Sequence, residues 1–245
     1  LVALKKGKDR NELNPIAHEY FEKLSDDKIV NEVNWKIFTN GVSDIASREY
    51  QFVITNQQAF AAITSQKRVN DKFKNSVMEL LKPIVKTNDI TNYKKQRAIA
   101  KTINSTMIDS LLFQYDLDHY EFNSNWNEYK KVAATDIKKY IWNSPKEIKS
   151  IVLNVMRNST DAPSLNQSLS WIKHSNELEE SYDGLLIEAR VQRKLNNIPV
   201  AITMTKKAKA FSTQMGWDGK EADKLMADLL ERKKIAAKPA AKTKK

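Results

Sequence analysis

The chain has 245 residues, a formal net charge of +11, five glycines, six prolines and no cysteine. Without cysteine there are no disulfides, no thiolate catalysis and no thiolate metal sites, and no apolar run approaches the roughly 20 residues a membrane-spanning helix needs. The charge alone would suggest a polyanion binder, but residues 232–245 hold seven basic and no acidic side chains, which leaves 34 basic against 30 acidic elsewhere. The body is an ordinary mixed surface and the excess is a tail, expected to be disordered because Lys, Ala and Pro bury too little apolar area to fold. Scarce Gly and Pro, with abundant Lys, Glu, Asn, Leu, Ile and Ala, predict an all-α fold.

The chain begins Leu1-Val2-Ala3-Leu4, with no visible secretory signal, as expected of a mature or partial chain. Those residues read as a helix end, broken at Gly7. Asn14 is expected as an N-cap with Pro15 at the first helical position, opening a stripe of Ile16, Ala17, Tyr20, Phe21 and Leu24. Ser25-Asp26-Asp27 starts the next helix, which carries Ile29, Val30, Val33, Trp35, Ile37 and Phe38 and ends at Gly41. Phe52-Val53-Ile54-Thr55 could form a strand, but an isolated strand leaves its backbone unpaired, so a helix is expected. Further helices are expected over 66–85, with Pro83 near the end, over 89–115 and over 122–142. Ser144-Pro145-Lys146-Glu147 reads as a helix start, with Ser at N-cap, Pro at N1 and Glu at N3.

From Leu165 to Leu230 the pattern becomes that of a helical repeat. Ser164 and Gln167 have capping-box spacing, and Leu165, Leu169, Trp171, Ile172 and Leu178 follow. Tyr182 to Leu195, a helix from Ile198-Pro199, and one capped by Asp218-Gly219-Lys220-Glu221 complete the stretch. Ala189, Asn196, Ala201 and Ala208 fall seven, twelve and nineteen residues from the first, the intervals of a tetratricopeptide (TPR) hairpin, with Leu185 at its large position. Small residues let antiparallel helices approach, and Asn196 stands where a positive φ is needed. Ser168, Trp171 and Ser175 echo Ala201, Met204 and Ala208 at an offset of 33. The expected architecture is an α-solenoid of about a dozen helices. Its expected parts are an irregular hairpin array over 1–157, TPR-like hairpins over 158–231 and the basic tail over 232–245.

Several segments near the start and the end of the chain carry a resemblance. Tyr20 to Asp27, Asn31 to Phe38 and Arg48 to Phe52, with Leu169 to Ser175 and Lys194 to Ala208, are similar to the helical half of Bacteroidota thioredoxin-family proteins. The similarity runs from about residue 3 to 231. It implies a periplasmic protein in which a thioredoxin fold precedes a TPR-like region. This sequence has no Cys-x-x-Cys and no βαβ pattern, so none of that family's redox residues transfers to a position here. Either such a domain precedes Leu1 or the protein has none.

No residue is assigned a catalytic, cofactor-binding or metal-binding role. His18, His119 and His174 have no i, i+4 partner and are expected at helix surfaces or interfaces. The acidic pairs Asp26/Asp27 and Glu179/Glu180 are expected to complement helix dipoles rather than to serve as acid and base. Trp35, Tyr50, Trp126, Tyr129, Tyr140 and Trp142 have core spacing, and the body lacks the basic groove of a stacking platform. A non-catalytic scaffold binding a protein partner, as an accessory subunit of an envelope assembly, is therefore expected. The expectation includes no cofactor, no small-molecule substrate, no nucleic acid and at most peripheral membrane contact. Two alternatives are polyanion binding through the tail and the helical half of an oxidoreductase whose catalytic domain is absent.

Overall fold

The computed structural model describes residues 10–236, and among them it contains thirteen α-helices, one 3-10 turn and no strand. The chain divides after Asn123 into two units. The expected helices at 1–4 and the tail beyond Ala236 lie outside the described residues.

The first unit holds α1 (Arg10–Glu22), α2 (Glu32–Gly41), α3 (Arg48–Thr55), α4 (Gln57–Ile63), α5 (Gln66–Leu81), α6 (Ile90–Lys101) and α7 (Thr106–Phe122). Side-chain caps start most of them: Asn31, Ser47, Ser65 and Asp89 each accept the N–H three residues on. The core is aromatic. Trp35 touches Phe38 and Phe60, Phe38 meets Tyr50 edge-on, and Tyr50 packs on Phe73. The Phe52–Thr55 run is helical, as the absence of a partner strand required. α1 packs on α2, α5 on α4 and α6, and α6 on α7.

Several expected boundaries move. α1 starts well before Asn14, because Leu13 and Ala17 are both buried and continue its apolar stripe through Pro15. Asn14 is no cap; its Nδ2 donates to the Ser43 hydroxyl at 2.7 Å. The Ser25-Asp26-Asp27 start yields only a 3-10 turn, Asp26–Lys28, and α2 begins after Asn31. The helix expected over 89–115 is two, since the chain turns between Lys101 and Thr106 while Ile103 stays buried and keeps the stripe running.

The second unit holds α8 (Trp126–Tyr140), α9 (Pro145–Asn158), α10 (Ala162–Leu178), α11 (Tyr182–Lys194), α12 (Ile198–Gln214) and α13 (Lys220–Ala236). Consecutive helices pack on one another, and α9 also touches α11. α11 is central: Gly184 to Ala189, Val191 and Gln192 are all buried. The small residues Ala189, Ala201, Ala208, Ser168 and Ser175 are each 0 % exposed, so they are points of close helix approach. Asn196 has φ +60° and ends the α11 hairpin in the left-handed region, as its position required.

α12 ends in a Schellman motif. Gly216 has φ +68°, its N–H reaches the Thr213 carbonyl, and the Trp217 N–H reaches the Ser212 carbonyl. Trp217 packs on Phe211 with ring centres 6.0 Å apart, the apolar contact that accompanies this motif.

The start of α10 is set by Asp161, not Ser164. Asp161 Oδ1 accepts the Ser164 N–H at 2.9 Å, and this bonding to Ser164, aided by Lys130, holds its carboxyl well below the usual range. Ser144 occupies the N-cap position of α9 without a side-chain bond, leaving Pro145 as the working signal. The division after Asn123 places α8 and α9 with α10–α13, whereas the sequence reading drew its boundary after residue 157. α13 runs to Ala236, so residues 232–236 of the expected tail are helical.

Candidate functional site

In the first unit, two helices and the end of a third enclose a polar cleft. Glu32, Trp35, Lys36 and Thr39 fall at i, i+3, i+4 and i+7 and form one face of α2. Arg68, Lys72, Asn75, Ser76 and Glu79 form the facing stripe of α5. With Ile63, Thr64 and Asp71 these residues line a cleft of about 500 Å³. A second hollow of about 510 Å³ continues it along α5, sharing Asn75 and Glu79 and ending at Met78, Lys82 and Pro83.

Lys72 is 8 % exposed. Its ammonium donates to the Val42 carbonyl at 2.5 Å and approaches the Thr39 carbonyl at 3.4 Å, so it neutralises the negative end of α2. It also lies 5.2 Å and 5.8 Å from the Phe38 and Tyr50 ring centres. Burial raises the Tyr50 phenol far above its ordinary value, so it stays neutral beneath that cation. The Thr64 hydroxyl is buried with no hydrogen-bond partner among the described residues. Lys36 and Arg68 are exposed on opposite walls.

A third hollow, of about 320 Å³, is lined by Asn14, Pro15, His18, Gly41, Val42, Ser43, Asp44, Ser47 and Glu49. Glu49 is buried, and its carboxylate lies 3.1 Å and 3.3 Å from His18 Nδ1. That hydrogen bond chiefly raises the His18 pKa, with the charges of Glu49, Glu22 and Asp44 adding to it. His18 Nε2 faces Glu22 at 3.3 Å, so no hydroxyl nucleophile occupies the place it would have in a Ser-His-acid arrangement.

The third cluster is a closed network. Asp116 accepts two hydrogen bonds from Arg97 Nε and Nη2, at 2.7 Å each, and one from the Tyr93 hydroxyl at 2.8 Å. Burial, with Asp116 adding, raises the Tyr93 phenol far above its ordinary value. Tyr93 stacks on His119 with ring centres 3.9 Å apart, and His119 Nδ1 lies 2.9 Å from the Val85 carbonyl. His119 is wholly buried, a core residue rather than the surface or interface residue the sequence suggested.

In the second unit His174 stacks on Trp142 at 3.8 Å while its Nε2 lies 2.9 Å from the Trp142 carbonyl, and Lys138 lies over the same indole at 5.3 Å. Ion pairs fasten the last helix. Arg190 holds Glu221 at 2.6 Å, Arg193 holds Asp228 at 2.9 Å, and Lys209 holds Asp223. The Arg193 guanidinium keeps the Asp228 carboxyl below the usual range.

The acidic pairs are not brought together. Asp26 is engaged by Arg48 at 2.5 Å, whereas Glu179 sits at the C-terminal cap of α10, not at a helix start. Of the six aromatics, Trp35, Tyr50 and Tyr129 are buried, and Trp126, Tyr140 and Trp142 are half-buried. No group of three or more His, Asp or Glu with metal-binding geometry occurs among the described residues. None of their helices is long and apolar enough to cross a membrane. The cleft residues were passed over in the sequence because their spacing on α5 is also that of an ordinary solvated helix face. Comparison with family models, with curated proteins and with solved structures gave no match.

Proposed function

We propose that this chain is a non-catalytic helical scaffold that binds a protein partner. The observation that supports it is the long polar cleft along α5, whose walls present exposed charged and amide side chains over an indole floor. The charge clusters elsewhere are spent internally: Asp116 is saturated by Arg97 and Tyr93, and Glu49 is bonded by His18. In the second unit, the small residues packed between α11 and α12 and the left-handed Asn196 support the finer TPR-like reading. Placement in the cell envelope, as an accessory subunit, rests on the resemblance of Tyr20 to Phe52 and Leu169 to Ala208 alone.

The test is reconstitution. Proteins crosslinked to the chain in envelope fractions are purified and titrated against it near 0.15 M salt. Saturable binding by one of them supports the reading. A chain that binds none of them overturns it, as does one that turns over a substrate by itself. Binding that instead follows any polyanion and falls steeply with salt belongs to the basic residues of 232–245.

A further inference from the structure

We propose that the cleft between α2 and α5 takes an extended segment of the protein partner and pairs an acidic side chain of that segment with Lys36 and Arg68. This rests on the protein-binding reading above and gives it a site and a chemistry.

The shape points to an extended chain. The lining of the two joined hollows runs along α5 from Arg68 to Lys82. At 1.5 Å per residue that face is about 21 Å long, the span of about six residues in extended conformation. A compact small molecule would fill only part of such a trough.

The charge selects the side chain. Lys36 and Arg68 are exposed, face the same cleft and have no ion pair among the described residues. Asp71, beside Arg68 on the lining, is instead drawn to Lys67 at 2.5 Å. A carboxylate entering at this end meets two cations that form no ion pair among the described residues, and Arg68 can hold it with a two-pronged bond.

The same lining argues against a polyphosphate backbone. Glu32, Asp71 and Glu79 are all on it, and a ligand with a charge at every step would meet them. A peptide with one acidic residue and neutral or basic neighbours does not. Trp35 and Ile63 supply apolar contact for a neighbouring side chain.

The experiment pans a displayed library of random peptides of about seven residues against the purified full chain, then measures selected peptides by calorimetry. Selected sequences should share one Asp or Glu. Its replacement by Asn or Gln should weaken binding by about tenfold or more, as loss of a charge-assisted bond does. Arg68→Glu and Lys36→Glu should each do the same, with unchanged helical content and melting, whereas Lys95→Glu, exposed on α6 outside the cleft, should leave binding as it was. A peptide with Lys in place of its acidic residue should regain affinity for Arg68→Glu. Peptides with no acidic preference, or binding indifferent to Arg68→Glu and Lys36→Glu, overturn the proposal. If no peptide binds but a purified partner does, the cleft proposal falls and the scaffold reading stands. If neither binds, both fall.

Discussion

Gly41 shows what a single residue does in this fold. A Cβ built there would lie 2.8 Å from the Ala17 Cβ and 3.4 Å from the Leu13 carbonyl oxygen, so α1 and α2 meet where only glycine fits. Gly41→Ala is expected to cost about 1–3 kcal/mol, as overpacking does. An unchanged denaturation midpoint would show that the two helices can separate freely. His18 is the residue with a pH signature. Its pKa is raised above the ordinary 6.5, first by its bond to Glu49. A group raised in the folded state stabilises fully below its unfolded value and loses that contribution as pH rises through the folded one. The stability difference between wild type and His18→Gln should therefore be largest below the ordinary value of 6.5 and shrink as pH rises above it. A difference constant across that value would mean the pair does not form. Neither feature could be read from the sequence: Gly41 looked like a helix stop, and nothing local to His18 reveals a carboxylate 31 residues away.

At the scale of elements, helices were legible and their ends were not. Apolar residues at helical spacing marked most segments outside 42–63, but the stripe through Ile99, Ile103 and Met107 continues across the turn between α6 and α7. Side chains from distant helices also finish several C-termini. Arg48 Nη1 donates to the Phe21 carbonyl beyond the middle of α1, Lys72 closes α2, and Lys194 donates to the Met156 and Ser159 carbonyls at the end of α9. Such cations favour the negative end of a helix. In sequence they look like any solvated lysine or arginine, which is why the buried Lys72 and the cleft above it were missed. Lys72→Met keeps the stem's packing but removes the donor to Val42, and should cost about 1–3 kcal/mol. Equal stability in urea would show that water replaces the ammonium. The small-residue pattern was the more readable signal. Ala201 is 0 % exposed, and Ala201→Leu should cost about 1–3 kcal/mol by forcing volume between α11 and its neighbours. No loss would place Ala201 outside the helix contact.

For the whole molecule the decisive question is where one cooperative unit ends. The repeat spacing over Ala189 to Ala208 drew attention to the C-terminal hairpins, and a boundary after residue 157 was natural from that pattern. Packing argues otherwise. Ile148, Ile151, Val152, Val155 and Met156 of α9 are all buried, and α9 lies against both α10 and α11. Lys194 of α11 is bonded to carbonyls at the end of α9, and Lys149 of α9 donates to the Ser181 hydroxyl that caps α11. In a stacked array each element is stable only through its neighbours, so removing α9 exposes the apolar face of α11 that it covered. A fragment of residues 124–245 is therefore expected to be helical and to unfold in one cooperative transition. A fragment of residues 158–245 should have reduced helicity per residue, a broad thermal transition and fast amide exchange along α11. Circular dichroism and hydrogen exchange on the two fragments decide it. An equally sharp transition in the shorter one would mean that α10–α13 fold without α9 and that the boundary belongs where the repeat spacing put it.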